Sequence, residues 1–307
     1  MTRIFSPEET AQLLPYPALA DAIRDAALAL RDGNIQAPPR TILPLPGENG
    51  GTLLAMPAAD EDLTITKLVT VHPDNAEKGL PTIQGEVVVI RTETGERLGI
   101  LDGATVTARR TAALSLLAAR ELAPRRDGPL LILGAGAQGR SHLEAFRAGL
   151  GVTEVFLISR TRGRTESLAD YAHSLGMEAR IVEDPSETLE SATLIATTTT
   201  SDEPVLPAEI RDDAFVAAVG SFTPEAAEIP AAFVARSTVV VDTVEGAKEE
   251  AGDLLLAEKA DDFRWEDATS LDEALSWTGA QSGPVLFESV GHAAWDLASA
   301  HAAFDRK

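Results

Sequence analysis

The stretch Pro129-Leu-Leu-Ile-Leu-Gly134-Ala-Gly136-Ala-Gln-Gly139 decides the fold of this 307-residue chain. Its apolar run, residues 130–133, is too short for a helix and is typical of a buried parallel strand. The run leads into a Gly-x-Gly-x-x-Gly turn and then into a helical pattern. In that setting the first glycine permits the tight turn, the second lets the backbone approach a pyrophosphate, and the third lets helix and strand pack closely. The N–H groups at the helix start favour an anion, so the stretch predicts a dinucleotide site.

The next predicted strand, residues 155–159, indicates which dinucleotide binds. It is followed by Arg160, Arg162 and Arg164. A dinucleotide without a 2′-phosphate usually meets an Asp or Glu at this position, which binds the ribose hydroxyls. Guanidinium groups instead match a phosphate through two parallel hydrogen bonds. The turn therefore favours NADPH over NADH as the cofactor, with a solvated basic turn as the alternative.

Composition excludes several classes of protein. The chain is 44% hydrophobic and carries a formal charge of −22, from 48 acidic and 26 basic residues. Such an acidic chain argues against nucleic acid or an anionic membrane as a partner. No apolar run reaches the roughly 20 residues of a membrane helix, and the first residues lack the apolar core of a signal peptide. With no cysteine for disulfides or thiolate metal sites, we expect a soluble cytoplasmic protein.

The first part of the chain predicts a β-rich domain. Residues 7–31 predict one amphipathic helix or two short ones. Apolar runs separated by Gly, Pro and Asp then predict five strands, at residues 41–45, 51–56, 63–71, 84–91 and 97–101. This part has no glycine fingerprint, so we expect it to serve something other than the cofactor. A long Ala- and Leu-rich helix, residues 105–122, connects it to the second domain.

From residue 130 onward, strands and helices alternate, which predicts a parallel, doubly wound sheet. We expect strands at 130–133, 155–159, 179–182, 193–197, 214–219 and 238–241, and helices at 138–149, 164–175 and 186–190. After Asp242, the segment to about residue 283 has an acidic, helical pattern. A strand or loop at 284–289 and a closing helix at 293–303 complete the chain. The predicted fold class is α/β, with a Rossmann domain at 123–289 and a second domain at 1–122.

Other catalytic patterns are not evident in the sequence. The five histidines, His72, His142, His173, His292 and His301, are scattered, and none forms a pair at metal-ligand spacing. No nucleophilic triad is visible. We interpret the histidines as surface or structural residues and predict no metal site.

Several separated motifs surround the glycine turn in a fixed order. They are Arg40-Thr-Ile-Leu-Pro, Met56-Pro-Ala, Lys67-Leu-Val, Gly79-Leu-Pro, Thr107-Ala-Arg-Arg-Thr111-Ala-Ala, Val219-Gly220-Ser221, Glu249-Glu-Ala-Gly-Asp253 and Ser289-Val-Gly-His-Ala. With this order of motifs the chain resembles the ornithine cyclodeaminase and mu-crystallin family, from about residue 36 to residue 303. The resemblance implies a Rossmann domain plus an α/β substrate-binding and dimerisation domain, to which the C-terminal helix, residues 290–307, returns. It also implies a homodimer.

The resemblance further implies roles for individual residues. Arg40, Lys67 and Arg110 match the family's ligands of the substrate carboxylate, and Lys67 and Arg110 are the predicted catalytic residues. Phe222 and Val290 complete the predicted substrate-binding set. The predicted cofactor-binding residues are Thr82, Gly134, Gly136, Ala137, Gln138, Gly139, Arg160, Thr161, Arg162, Thr199, Val219, Gly220 and Ser289. Physical reasoning agrees, because two Arg and one Lys in a cleft make an anion site and an Arg fork also orients a carboxylate. Adjacent Arg109 lies about 100° away on the same helix, so only one of the two can face the cleft fully.

One departure from the family pattern bears on the reaction. Ornithine cyclodeaminases and related alanine dehydrogenases carry an aspartate two positions after the glycine that matches Gly220, where this chain has Phe222. Phenylalanine can neither transfer a proton nor balance a substrate ammonium group. A cyclic imine requires less, because its nitrogen is already joined to the carbon that receives hydride.

We therefore predict an oxidoreductase of proline metabolism that reduces small cyclic ketimine carboxylates with NADPH, or less readily with NADH. Its substrates would be Δ1-pyrroline-2-carboxylate, giving proline, and Δ1-piperideine-2-carboxylate, giving pipecolate. The proton donor to the imine nitrogen is left open between Lys67 and an ordered water. The alternatives are an amino-acid or opine-type dehydrogenase, an ornithine cyclodeaminase, and a non-catalytic NADPH-binding protein of crystallin type.

Overall fold

The structure, a computed structural model, describes residues 2–47, 50–221, 223–279, 281 and 283–305. The chain folds into two compact units, of which unit 1 comprises Met1–Arg110 and His292–Lys307, and unit 2 comprises Thr111–Gly291. The division falls inside a single long helix, whereas the expected boundary, residue 122, is the last residue of that helix. The second half of this helix belongs to unit 2 because Leu116 packs on Gly149, where an added Cβ would lie 2.4 Å from it.

Unit 1 is built on a six-stranded sheet with the order β1-β6-β5-β4-β3-β2. All neighbours are antiparallel except β1 and β6. The strands are β1 (Arg3–Ile4), β2 (Thr41–Pro44), β3 (Thr52–Ala59), β4 (Leu63–Val71), β5 (Ile83–Arg91) and β6 (Arg97–Asp102). The predicted strands are all present, and β3 runs three residues past its predicted end. The two-residue β1 was not predicted, because so short an edge strand leaves no periodic pattern.

The helices of unit 1 come from both ends of the chain. They are α1 (Pro7–Leu13), α2 (Tyr16–Arg31), the first part of α3 (Gly103–Leu122) and α10 (Ala293–Phe304). Ser6 and Glu9 form a capping box at the start of α1, and Pro15 separates α1 from α2. Residues along β4 alternate between a buried and a more exposed face, and Lys67 lies on the buried face. The polar end of Lys67 is therefore inside unit 1.

Unit 2 contains an eight-stranded, fully parallel sheet with the order β13-β12-β14-β11-β10-β7-β8-β9. Its strands are β7 (Leu130–Leu133), β8 (Glu154–Ile158), β9 (Glu178–Ile181), β10 (Leu194–Thr197), β11 (Phe215–Ala218), β12 (Thr238–Val241), β13 (Ala268–Ser270) and β14 (Val285–Glu288). β7, β10, β11 and β14 are buried along their whole length, as expected for strands covered on both faces. The predicted α/β class with a doubly wound parallel sheet is confirmed.

The helices of unit 2 follow the predicted alternation with three exceptions, the first of which is an unpredicted four-residue helix at 231–234. The helices are the second part of α3, α4 (Ala137–Leu150), α5 (Arg162–Ser174), α6 (Ala231–Val234), α7 (Val244–Glu250), α8 (Gly252–Lys259) and α9 (Leu271–Ala274). The helix predicted at 186–190 is wrong, because only one 3-10 turn, Pro185–Glu187, forms behind the cap of Asp184. The segment predicted as helical after Asp242 also contains β13, which is only three residues long and pairs with β12.

The strand order of unit 2 places the chain reversal beside β7. The chain passes from β7 outward to β8 and β9, then returns to β10 on the other side of β7. In doubly wound sheets a ligand binds at the carboxyl ends of the strands at such a switch point. The turn after β7 is the glycine-rich turn.

Candidate functional site

The glycine-rich turn of unit 2 has the geometry that its sequence predicts. Gly134 has a φ of 109°, and an added Cβ would lie 2.6 Å from the Thr198 carbonyl oxygen. A Cβ on Gly139 would lie 2.0 Å from the Gly134 carbonyl oxygen. Both glycines are therefore required by the protein itself, one by its backbone conformation and one by the close packing of α4 on the turn.

Gly136, in contrast, is not required by packing. An added Cβ there would meet no atom of the described chain within 4 Å. Gly136 is the N-cap of α4, and no described side chain caps this helix, so the first-turn N–H groups face outward. The buried Gln138 Oε1 also lacks a hydrogen-bond partner among the described residues. Space, N–H donors and a polar side chain thus fit a pyrophosphate at Gly136, Ala137 and Gln138.

A buried histidine fixes the first turn of α4. His142 Nδ1 lies 2.8 Å from the Gln138 carbonyl oxygen, and Nε2 lies 2.9 Å from Ser115 Oγ on α3. Burial lowers the pKa of His142 to about 4. It is therefore neutral near pH 7 and contributes hydrogen bonds rather than charge to the start of the helix.

The arginine turn after β8 is exposed, and its members differ in their partners. Arg160 donates from Nη2 to Thr200 Oγ1 at 3.3 Å. Arg162 forms ion pairs with Glu166, at 3.0 Å, and with Glu183. Two carboxylates therefore already neutralise Arg162, which leaves Arg160 as the stronger candidate for binding a 2′-phosphate. Thr161 is the N-cap of α5.

The turns after β10 and β11 carry Thr199, Val219 and Gly220. All three are half-buried. The Thr199 and Gly220 N–H groups donate to the buried carboxylate of Glu228, at 2.5 and 2.8 Å. Parallel neighbouring strands bring these two turns to the same edge of the sheet. The predicted residues are thus brought together, along with a carboxylate that was not predicted.

The segment after β14 contains the predicted Ser289 and Val290, both buried. Ser289 Oγ donates to Asp242 Oδ2 at 2.8 Å, and the same oxygen accepts the Gly291 N–H at 2.8 Å. Asp242 thereby holds the end of β14. Phe222 lies outside the described residues.

In unit 1, a buried group of charged side chains surrounds Lys67. The Lys67 ammonium lies 2.9 Å from Asp296 Oδ1 and 2.8 Å from Asp296 Oδ2. Arg110 Nε lies 3.6 Å from Asp296 Oδ1. Lys67 and Asp296 are 2% and 0% exposed. β4, α3 and α10 therefore each contribute one charged residue, and we call Lys67, Arg110 and Asp296 the lysine cluster.

The electrostatic environment of Lys67 is strongly perturbed. Burial lowers the pKa of Lys67 from its usual 10.5 to about 8. The Asp296 carboxylate opposes this shift, while Arg110 and Arg40 add to it. Lys67 can therefore exchange its proton near neutral pH.

The structure distinguishes the two neighbouring arginines of α3. Arg110 points to Asp296, whereas Arg109 Nε donates to the Leu14 carbonyl oxygen at 2.8 Å. The Arg109 guanidinium also lies over the Tyr16 ring, 3.8 Å from its centroid. Arg109 therefore packs against the start of α2, and Arg110 is the arginine beside Lys67.

Thr82, a predicted cofactor-binding residue, lies just before β5. It is half-buried, and its carbonyl oxygen accepts the His72 N–H at 2.8 Å.

Asp296 is the residue of this site that sequence reasoning missed. It belongs to the closing helix, but no quoted motif includes it. The available signal was a lone acid inside the apolar stretch Ala293-Ala-Trp-Asp-Leu-Ala298, because an acid there must be buried and paired. The pairing partners could not be read from that stretch, since Lys67 is 229 residues away.

The described ranges contain neither a candidate metal site nor a candidate membrane span. No group of three or more His, Asp or Glu side chains there could hold a metal ion. None of the helices in those ranges combines the length and apolar character needed to span a bilayer.

Comparison with known proteins identifies close relatives. The family model described as the ornithine cyclodeaminase/mu-crystallin family matches residues 2–307. A Δ1-pyrroline-2-carboxylate reductase 1 of Burkholderia multivorans is 40% identical over 99% of this chain and 96% of its own length. A Δ1-pyrroline-2-carboxylate/Δ1-piperideine-2-carboxylate reductase of Azospirillum brasilense is 39% identical over 98% of this chain and 95% of its own.

Among solved structures, this chain is similar to Δ1-pyrroline-2-carboxylate reductase of Thermococcus litoralis, determined in complex with NADH and L-proline. The TM-score is 0.92 and the sequence identity is 28%, over 99% of this chain and 97% of the other.

Proposed function

The chain belongs to the ornithine cyclodeaminase/mu-crystallin family, and we propose that it reduces small cyclic ketimine carboxylates with a nicotinamide dinucleotide. The substrates are Δ1-pyrroline-2-carboxylate, which gives L-proline, and Δ1-piperideine-2-carboxylate, which gives L-pipecolate. The names of its relatives support this choice, as do the ligands of its structural neighbour. A role in proline metabolism follows from the first substrate.

The observation that carries the proposal is the charge balance around Lys67. Two cations, Arg110 and Arg40, act on Lys67 together with one carboxylate, that of Asp296. Lys67, Arg110 and Arg40 are thus three cations close enough to act on one another, and such a group of positive charges attracts an anionic ligand. A substrate carboxylate is such a ligand, and a guanidinium fork can orient it as well as attract it.

The lysine cluster also provides a proton. A dihydronicotinamide cofactor, whose pyrophosphate Gly136, Ala137 and Gln138 would hold, would supply hydride for the imine carbon, and the imine nitrogen needs one proton in addition. Lys67 has a pKa of about 8, so it is mostly an ammonium at pH 7 and can still release its proton. We assign Lys67 as the proton donor, and Arg110 as the residue that orients the carboxylate. Asp296 holds Lys67 in place through both of its oxygens.

NADPH is the proposed preferred cofactor, with NADH as a weaker substitute. The support is the basic turn after β8, where Arg160 pairs with no carboxylate of the described residues and donates one long hydrogen bond, of 3.3 Å, to Thr200. Arg162 contributes less to this preference than its position in the sequence suggests, because Glu166 and Glu183 compete for it.

We propose that the chain forms a homodimer through one face of the unit 1 sheet, the face opposite to the one that carries Lys67. Leu43 and Leu68 on this face are 51% and 43% exposed. Leu53 pairs with Leu43 across β2 and β3 and adds to the same apolar surface. A second copy of the chain would cover this surface. Sedimentation equilibrium should give the mass of a dimer, and a monomer mass at micromolar concentration would contradict the proposed homodimer.

The function is tested with a substrate panel followed by loss of NADPH absorbance. We expect turnover of both cyclic imines, none of pyruvate plus ammonia, and no ammonia release from ornithine with NAD⁺. Arg110→Lys should lower kcat/KM, because it keeps the charge but loses the planar fork, and Arg110→Ala should lower it about a hundredfold. Ammonia release from ornithine would instead assign a cyclodeaminase. Cofactor binding without turnover of any imine would assign a non-catalytic protein.

A further inference from the structure

The Glu228 carboxylate is buried where two turns of unit 2 meet. Its side chain is 0% exposed. Oε1 accepts the N–H of Thr199 at 2.5 Å, and Oε2 accepts the N–H of Gly220 at 2.8 Å and the hydroxyl of Thr197 at 2.9 Å. One carboxylate therefore ties the turn after β10 to the turn after β11.

The backbone of Glu228 is held in place by further hydrogen bonds. Its N–H and that of Ile229 donate to Asp253 Oδ1 on α8, at 2.6 and 2.7 Å. Its carbonyl oxygen accepts the Val205 N–H at 2.8 Å. Because these hydrogen bonds fix the Glu228 backbone, its carboxylate can hold the backbone of the two turns in place.

The packing around Gly220 leaves no free space for a side chain. A Cβ on Gly220 would lie 2.2 Å from the Thr199 carbonyl oxygen and 2.6 Å from Glu228 Oε2. The two turns and the carboxylate are therefore packed as closely as a glycine allows. Neither turn can therefore shift toward the other without a clash.

The two turns lie on one side of the switch point. A dinucleotide crosses the carboxyl edge of a doubly wound sheet, and its adenosine ribose is read at the end of the strand that follows the glycine turn, here β8. The other half of the dinucleotide then lies toward β10 and β11. Thr199 and Gly220 are on that side.

We propose that Glu228 is a positioning residue that fixes the backbone of Thr199 and Gly220 for the nicotinamide half of the cofactor. This inference rests on the proposed function, because it requires a bound dinucleotide. Glu228 acts through these two turns and is not a catalytic residue. A carboxylate suits this role because both of its oxygens accept hydrogen bonds, whereas the amide of glutamine would aim an N–H group at one of the donors.

The test compares Glu228→Gln with Glu288→Gln, a matched change in a neighbouring buried carboxyl group. Each protein is titrated with NADPH and with adenosine 2′,5′-bisphosphate, which carries only the adenosine half. The titrations are made at pH 8, because burial raises the pKa of Glu228 to about 7. Thermal unfolding without ligand is recorded in parallel, and Thr197→Val provides a milder variant that removes one of the three hydrogen bonds.

We expect Glu228→Gln to weaken NADPH binding at least tenfold and adenosine 2′,5′-bisphosphate binding less than twofold. Thr197→Val should weaken NADPH binding two- to fivefold, and Glu288→Gln should change neither ligand's affinity more than twofold. Equal weakening of both ligands by Glu228→Gln and by Thr197→Val would overturn the inference, because that is the result of a general structural role. Unchanged NADPH affinity would overturn it as well. Failure of the wild-type protein to bind NADPH and NADH would instead overturn the proposed function.

Discussion

The two units bury charge in opposite ways. In unit 1, Lys67 and Arg110 surround Asp296, so charges of opposite sign compensate one another. In unit 2, three carboxyl groups of the same sign, Glu228, Asp253 and Glu288, are buried together, and we call them the carboxyl cluster. Backbone N–H groups compensate Glu228 and Asp253. Neither Glu288 oxygen has a donor among the described residues.

The difference separates a site from a structural support. The lysine cluster gathers two cations around one carboxylate, within reach of the charge of Arg40, and we propose that a substrate carboxylate binds there. The carboxyl cluster needs no ligand, because burial and the neighbouring acids raise the pKa of Glu288 and favour its protonated form. We therefore interpret the group of buried cations as a binding site, and the group of buried carboxyls, which N–H donors and protons neutralise, as a structural support.

The largest expected effect comes from removing the only acid of the lysine cluster. Asp296→Asn leaves Lys67 and Arg110 buried beside a neutral side chain, which should lower the free energy of unfolding by about 3–5 kcal/mol. Asp25→Asn, an exposed change on α2, is the control and should have almost no effect. L-proline should restore part of the loss, because its carboxylate supplies a negative charge. Chemical denaturation with and without L-proline measures both effects, and equal stability of the two variants would remove the contrast between the clusters.

The next effect is a dependence of stability on pH in unit 2. The pKa of Glu288 lies well above its usual 4.5, so the folded chain keeps a proton that the unfolded chain releases as pH rises. As pH rises above the usual pKa of 4.5, the wild-type protein should therefore lose stability relative to Glu288→Gln, by at most about 1.4 kcal/mol per pH unit. Urea denaturation of both proteins at pH 5, 6 and 7 measures this difference. If their free energies of unfolding run parallel, Glu288 is ionised in the folded protein.

A smaller effect, on the KM for the cofactor, is expected at the exposed arginine turn, whose charges are not buried in either of these two ways. Arg160→Ala should raise the KM for NADPH about tenfold, equivalent to about 1.5 kcal/mol, and change the KM for NADH little. Arg162→Ala should change both less than threefold, because Glu166 and Glu183 already occupy that guanidinium. Initial rates with each cofactor measure the ratio. A wild-type protein that uses NADH as well as NADPH would refute the proposed preference.

The last expected effect is a fall in activity at alkaline pH, caused by Lys67 of unit 1. As the Lys67 ammonium, whose pKa is about 8, loses its proton, kcat/KM should fall about tenfold per pH unit. A bound carboxylate stabilises the ammonium, so kcat should begin to fall at a higher pH than kcat/KM. Lys67→Arg keeps the charge but cannot release a proton, so it should bind L-proline and lose turnover. Rates that stay constant from pH 7 to pH 9.5 would exclude Lys67 as the proton donor.

Local patterns in the sequence predicted much of the fold. The β7 strand, the glycine turn and α4 depend on neighbouring residues, and so they were predicted within one residue. Strand β13 was missed, because three residues carry no period that could distinguish them from a loop.

The candidate site was predicted less completely, because its contacts join distant residues. Lys67 and Arg110 were named from motifs, but their shared partner, Asp296, is on another element. The ion pair of Arg162 with Glu183 joins residues on separate elements as well. A sequence shows which residues carry charge, and only the fold shows which of those charges are already compensated.

The discontinuous course of unit 1 has a consequence for its synthesis. A ribosome releases Lys67 and Arg110 long before α10, which brings Asp296 229 residues after Lys67. All eight strands of the parallel sheet are synthesised in that interval, the last of them, β14, directly before α10. Lys67 and Arg110 therefore have no Asp296 to pair with until synthesis reaches α10, so the lysine cluster is completed by almost the last element of the chain to be made.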